Sequence, residues 1–195
     1  MRVGVLALQG AVREHRRALE KVGVESRVVK TVDDLKSLDG LVLPGGESST
    51  MALLAEGPLL DALRRLSSSG LPMFGTCAGM ILLADVVEGR LGSIIGGIDI
   101  TVARNASGRQ VDSFETTLSI DGVGSDVPAV FIRAPYITRL GLGVRVLARH
   151  DGVAVMARQG RILVASFHPE LTEDLRVHRA FVGMIRELRG EGEPG

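Results

Sequence analysis

The stretch Leu71-Pro72-Met73-Phe74-Gly75-Thr76-Cys77-Ala78-Gly79-Met80 constrains this chain more than any other, because it sets the only cysteine between two glycines. A short apolar run opened by Pro72 reads as a buried strand, and the run Ile81-Leu82-Leu83-Ala84-Asp85-Val86-Val87 after Gly79 reads as a helix. Cys77 then falls in the turn between them. Glycines at positions 75 and 79 remove side chains that would collide where strand meets helix, and they let the nucleophile adopt a strained conformation with its sulfur exposed. The positive end of the following helix favours thiolate over thiol. A lone cysteine is ordinarily a small buried hydrophobe, but the flanking glycines and the strand-to-helix position favour a nucleophile.

The first half of the chain alternates strand and helix patterns. Val3 to Leu8, Ser26 to Val29 and Gly40 to Leu43 read as strands, with the cysteine strand as the fourth; Ala11 to Val22, Val32 to Leu38 and Pro58 to Leu66 read as helices. Such repetition predicts an α/β fold of three layers, a mostly parallel central sheet with helices on both faces, in which active sites form beyond the carboxyl ends of the strands. Gln9-Gly10, Gly45-Gly46 and Cys77 all occupy such ends. The second half changes character. Ile98 to Ala103, Phe114 to Ile120, Ala129 to Arg133, Val144 to Ala148, Val153 to Ala157 and Ile162 to Ser166 read as short strands with Gly, Asp and Pro turns, hence antiparallel additions. A last helix over Thr172 to Leu188 starts at the cap-like Thr172-Glu173-Asp174. One domain over residues 1–189 with a flexible tail at 190–195 is expected.

With 195 residues, 45% of them hydrophobic, and a formal charge of zero, the chain can bury a sizeable core and lacks the electrostatic footprint of a nucleic-acid binder. One cysteine makes no internal disulfide, and the N-terminal apolar run is too short to span a membrane. A cytoplasmic protein is expected.

A nucleophilic cysteine needs a base. His15 and His178 lie in charged helical stretches and read as solvated surface residues, and His150 precedes a turn at Asp151-Gly152. His168 differs: it follows the apolar run Ile162 to Phe167 and precedes Pro169-Glu170. Proline biases the residue before it toward extended geometry, where alternate side chains share a face, so Glu170 can orient the His168 imidazole. Acyl chemistry also needs oxyanion donors. The Ala78 amide after the nucleophile is one, and Gly46 in the loop Pro44-Gly45-Gly46-Glu47-Ser48-Ser49 can offer another. The same loop is a poor phosphate cradle, for it lacks a P-loop's lysine and spacing.

Together, Gly75-Thr76-Cys77-Ala78-Gly79, Pro44-Gly45-Gly46 and His168-Pro169-Glu170 resemble the motifs of the class I (triad) glutamine amidotransferases. More narrowly, Gln9-Gly10-Ala11-Val12-Arg13-Glu14-His15, Gly108-Arg109-Gln110-Val111-Asp112-Ser113-Phe114-Glu115 and Phe131-Ile132-Arg133-Ala134-Pro135 resemble blocks of the glutaminase subunits of pyridoxal 5'-phosphate synthase. The resemblance covers nearly the whole chain. It implies hydrolysis of L-glutamine to glutamate and ammonia by Cys77 as nucleophile, His168 as base and Glu170 as orienting acid. It also implies that the ammonia passes to a separate lyase subunit in a large hetero-oligomer, which combines it with a pentose phosphate and a triose phosphate. Gly46, Glu47, Ser48, Arg104, Ile132 and Arg133 match the family's glutamine-binding positions, and neither a cofactor nor a metal ion is implied. Ser107 departs from the family's usual phenylalanine.

Other readings remain open from residues alone. One is a sister amidotransferase subunit such as that of imidazole glycerol phosphate synthase; others are a cysteine peptidase or stress-response protein on a similar elbow, and a regulatory subunit without chemistry. Within the amidotransferase reading, the first helix is expected to expose Arg13, Glu14, Arg16 and Arg17 as a docking face for the synthase.

Overall fold

The buried strands are apolar on both faces. Leu41, Leu43, Met73, Ile162 and Val164 belong to one apolar cluster, while Val42, Phe74, Leu163 and Ala165 belong to a second. A strand with two such faces is stable only between two covering layers. The computed structural model describes residues 1–104 and 113–190. Its elements are β1 (Arg2–Leu6), α1 (Val12–Lys21), β2 (Glu25–Val29), β3 (Gly40–Leu43), α2 (Ser48–Ala55), α3 (Pro58–Ser68), β4 (Met73–Thr76), α4 (Ala78–Leu83), β5 (Ala84–Val87), β6 (Ile98–Ala103), β7 (Phe114–Ile120), β8 (Gly124–Phe131), β9 (Tyr136–Leu140), β10 (Arg145–His150), β11 (Val153–Gln159), β12 (Ile162–Ala165) and α5 (Arg176–Leu188).

Seven strands form the central sheet in the order β10-β11-β12-β4-β3-β1-β2. From β12 to β2 all pairs are parallel, and β11 joins β12 and β10 antiparallel. The first cluster unites that sheet with α2, α3, α4 and the small sheet β5-β6-β9; the second unites it with α1, α5 and the β7-β8 hairpin. Phe74 packs against Phe181 of α5 with ring centroids 5.5 Å apart, so the nucleophile strand is anchored through the second layer. Burying each such side chain stabilises by roughly 1.5–3 kcal/mol. Among the described residues no helix is long and apolar enough to cross a membrane.

The three-layer α/β architecture is as the sequence predicts, and several boundaries differ. The run Ile81 to Val87 is not one helix: α4 stops at Leu83, Ala84 turns extended at ψ 138°, and β5 pairs with β6. Val86 and Val87 favour that state, since β-branched residues fit a pleated sheet better than a helix. Val32 to Leu38 contributes only a 3-10 turn, Asp33–Leu35. Helix α2 follows the glycine loop directly, where sequence reading left a loop, and β9 was not foreseen. The last helix begins at Arg176, after Asp174 takes the Arg176 amide and guanidinium. Asn105, Ser107, the Gly108 to Asp112 part of the motif block and the tail from 191 lie outside the described residues.

Candidate active site

Four parallel neighbours, β1, β3, β4 and β12, end on one edge of the sheet, and the loops beyond them carry Gln9, Gly46, Cys77 and His168. Cys77 has φ 49° and ψ −105°, a conformation that side-chain-bearing residues rarely adopt, and it immediately precedes α4. The glycines make this possible. A Cβ on Gly75 would lie 2.5 Å from the Gly79 carbonyl, and one on Gly79 would overlap the Leu43 carbonyl oxygen, so β4, α4 and β3 meet backbone to backbone. The Cys77 amide is held by the Ala165 carbonyl at 2.8 Å, which ties the elbow to β12.

His168 lies beside the sulfur. Its Nδ1 is 2.8 Å from Glu170 Oε1, which leaves Nε2 to face Cys77, and its amide donates to the Val130 carbonyl at 2.8 Å. Burial alone would lower the imidazole pKa, but hydrogen bonds and charge from Cys77 and Glu170 outweigh it and push it up to about 10. Glu170, whose side chain is fully buried, is pushed up by burial but held below its ordinary value by the imidazoles of His15 and His168. The Ala78 amide is the first of α4 and has no intrahelical acceptor, so it is free to meet an oxyanion.

A cleft of about 420 Å³ opens over Cys77. Its walls include all six expected glutamine-binding positions, Gly46, Glu47, Ser48, Arg104, Ile132 and Arg133, and also Gln9, Ile81 and Pro135. Arg104 donates from Nη1 to Ser49 Oγ at 2.9 Å, while its buried Nε has no partner among the described residues. The Ile132 carbonyl stands 4.0 Å from Cys77 Sγ, and Arg133 is held at φ 44°. A larger groove, of about 650 Å³, lies away from this edge, beside α5 and β10. It contains no nucleophile, and its Arg145, Arg158 and Arg176 are tied to Asp121, Glu187 and Asp174.

The family comparison agrees with this geometry. Residues 5–187 match the model of the SNO glutamine amidotransferase family. This chain belongs to that family. Curated relatives named pyridoxal 5'-phosphate synthase subunit PdxT include one from Parafrankia sp. (strain EAN1pec), 58% identical over 193 residues, covering 97% of this chain and 95% of the relative. Another, from Bacillus cytotoxicus, is 55% identical over 190 residues and covers 97% of each chain. A solved crystal structure of a glutamine amidotransferase superposes with TM-score 0.87 at 48% identity, over 94% of this chain and 98% of that one.

Within this SNO-family amidotransferase the structure corrects several sequence readings. Glu47 lines the cleft, and its carboxylate, read from sequence only as part of a loop, caps α2: it accepts from the Ser49 amide at 3.0 Å and the Thr50 amide at 2.6 Å. Those bonds, with that from the Thr50 hydroxyl, bring its pKa down to about 2. Gln9, unassigned from sequence, holds the Glu47 amide at 2.8 Å through Oε1 and so fixes the peptide after Gly46.

His15 and His178 are not solvated. Both are 0% exposed, and His15 contacts His178, Thr76 and Glu170. Helical spacing carried the signal: His15 lies one turn from Leu19, and His178 three residues before Phe181, on the apolar stripes of α1 and α5. On α1, Arg13 and Arg17 are exposed, but Arg16 is partly buried and donates to Ser26 Oγ at 3.0 Å. His150 stacks on Phe114 and Phe131 at 5.1 and 5.7 Å, away from the sulfur.

Proposed function

We propose that this chain hydrolyses L-glutamine to L-glutamate and ammonia through Cys77, His168 and Glu170, and delivers the ammonia to a separate synthase subunit for pyridoxal 5'-phosphate formation. The observation that carries the reading is one imidazole held between Cys77 and the buried Glu170 at the mouth of a cleft. The names of the relatives at 55% and 58% identity support the choice of synthase. The same reading treats residues 1–189 as a single amidotransferase unit, supported by two apolar layers sharing one sheet, and takes the cytoplasm as its location.

In the proposed cycle, Cys77 Sγ attacks the carboxamide carbon of glutamine. The oxyanion that develops accepts from the Ala78 amide and from Gly46. His168, whose proton is retained through neutral pH, gives that proton to the departing ammonia. A thioester remains on Cys77, and water then attacks it with His168 as the base, releasing glutamate. The Arg104 guanidinium in the cleft wall suits the α-carboxylate of the substrate, and the Ile132 carbonyl offers an acceptor to its ammonium.

Glutamate release from glutamine, measured with and without the candidate synthase subunit, tests the reading. Turnover that requires Cys77 and rises when the synthase is added is expected; no hydrolysis in either condition refutes it. Docking is assigned to the exposed side of α1, where Arg13 is 93% exposed. Reversal by Arg13→Glu should weaken synthase binding and leave the basal rate unchanged, whereas Arg16 is unsuitable for such a test because it also holds β2.

A further inference from the structure

Behind the triad lies a chain of buried polar groups for which the proposed cycle has no use. His15 Nε2 is 3.1 Å from Thr76 Oγ1 and 3.4 Å from Glu170 Oε2, and His15 Nδ1 is 3.0 Å from His178 Nε2. The Thr76 hydroxyl oxygen in turn accepts the Gly45 amide at 3.1 Å. Glu170 Oε1 is committed to His168, and Oε2 has no hydrogen-bond partner among the described residues; its 3.4 Å approach to His15 is an ion-pair distance and too long for a good hydrogen bond. A buried carboxylate oxygen without a donor is costly, and His15 Nε2 is the donor placed to meet it.

The proton arrangement follows from these partners. Glu170 Oε2 calls for a donor, and the Thr76 hydroxyl, which already accepts the Gly45 amide, can accept a second, so His15 is assigned its proton on Nε2 and accepts on Nδ1 from His178 Nε2. That leaves His178 Nδ1 as a bare acceptor, in keeping with its lack of a partner among the described residues. Burial lowers the pKa of both rings, that of His178 to about 3. Two imidazoles buried inside a core otherwise built of Leu19, Phe74 and Phe181 forgo apolar contact that a leucine would have made, and packing alone does not account for them.

We propose that His15 is a positioning residue of the glutaminase site: oriented by His178 and Thr76, it secures the second carboxylate oxygen of Glu170, so that α1 fixes the triad from behind. The inference rests on the glutaminase reading above. The contact is long at rest and shortens during turnover, as catalytic hydrogen bonds commonly do. Because Thr76 also holds the Gly45 amide, the same imidazole links the acid of the triad to the loop that carries Gly46. Any shift of α1 is thereby felt at both ends of the site.

The test compares two polar substitutions of similar size in the full chain. His15→Gln places its amide nitrogen where Nε2 stands and keeps a donor toward Glu170; His15→Asn reaches only to the Nδ1 position and loses it. His15→Asn is expected to lower kcat for glutamine about 10- to 100-fold at unchanged KM, the loss of one hydrogen bond to a charged group. Its acid limb of kcat/KM should also move to higher pH, since a carboxylate stripped of a donor protonates more readily.

The titratable groups facing Glu170 are His168 on its own segment, His15 and behind it Glu14 on α1, and His178 on α5, and only His15 is altered. His15→Gln should restore most of kcat and the position of the limb. Equal kcat and equal limbs in the two variants, whether both active or both impaired, would overturn the proposal and leave His15 a core residue. Glutamine hydrolysis that survives Cys77→Ala would instead refute the glutaminase reading itself.

Discussion

Gly45 and His168 share one space. A Cβ on Gly45 would overlap imidazole Cε1 and stand 3.3 Å from Cys77 Cβ, so the missing side chain is what lets the ring come alongside the sulfur. Gly45→Ala should therefore displace His168 and lower glutamine turnover about 100-fold, the scale expected for roughly 1 Å of misplacement. Far-ultraviolet circular dichroism should be unchanged. Wild-type turnover in this variant would mean that the ring does not work from the position described.

The members of the triad should fail unequally. Cys77→Ala removes the thioester altogether, and His168→Asn should cost on the order of 10⁶-fold in kcat by analogy with serine triads. Glu170→Ala should cost roughly 10⁴-fold, because orientation and charge support are lost but the base remains. Single-turnover glutamate release measures all three. Full activity in Glu170→Ala would remove that residue from the mechanism.

The pH profile follows from two shifts of opposite sign. Glu170 is held below its ordinary value, so what it contributes to stability and activity is present above about pH 4.5 and fades as pH falls below that. His168 is raised from 6.5 to about 10, so its contribution is complete below pH 6.5 and disappears as pH rises through about 10. A plot of kcat/KM should be flat through neutrality with an alkaline limb near 10; an alkaline limb near 7 would show that the Cys77 and Glu170 contacts do not hold the proton on His168.

Glu47 is expected to matter for the helix more than for substrate charge. Losing its cap in Glu47→Ala should lower stability to urea by about 1 kcal/mol, as other N-cap deletions do. Because its pKa falls from 4.5 to about 2, this contribution is present above pH 4.5 and is lost on acidification toward 2. Wild type and variant should therefore converge in acid. An unchanged urea midpoint at pH 7 would show that the two amides are satisfied by water instead.

How far the sequence could be read depended on whether a signal was local. The elbow is legible because Gly75, Cys77 and Gly79 make their own turn, and Glu170 could be paired with His168 because only Pro169 separates them. Helix α2 was missed because glutamate is an uncommon N-cap and Gly45-Gly46 drew the reading toward a loop. The extended state of Ala84 to Val87 depends on β6, whose pairing no window of local sequence contains. His15 and His178 were misplaced because their immediate neighbours are charged, in Arg13-Glu14-His15-Arg16-Arg17 and Arg176-Val177-His178-Arg179. Each helix nonetheless turns its histidine inward, and the two meet across residues remote in sequence, so only tertiary structure reveals the contact.

The position of β12 between β11 and β4 has a consequence for synthesis on the ribosome. A nascent chain that has emerged as far as Arg161 already holds the glycine loop and the nucleophile, but neither the imidazole nor its acid. The strand that brings them is inserted late, between partners made earlier, and such non-local pairing is slow. Chains truncated before His168 thus carry the Cys77 sulfur without the imidazole and the carboxylate that the folded protein sets beside it.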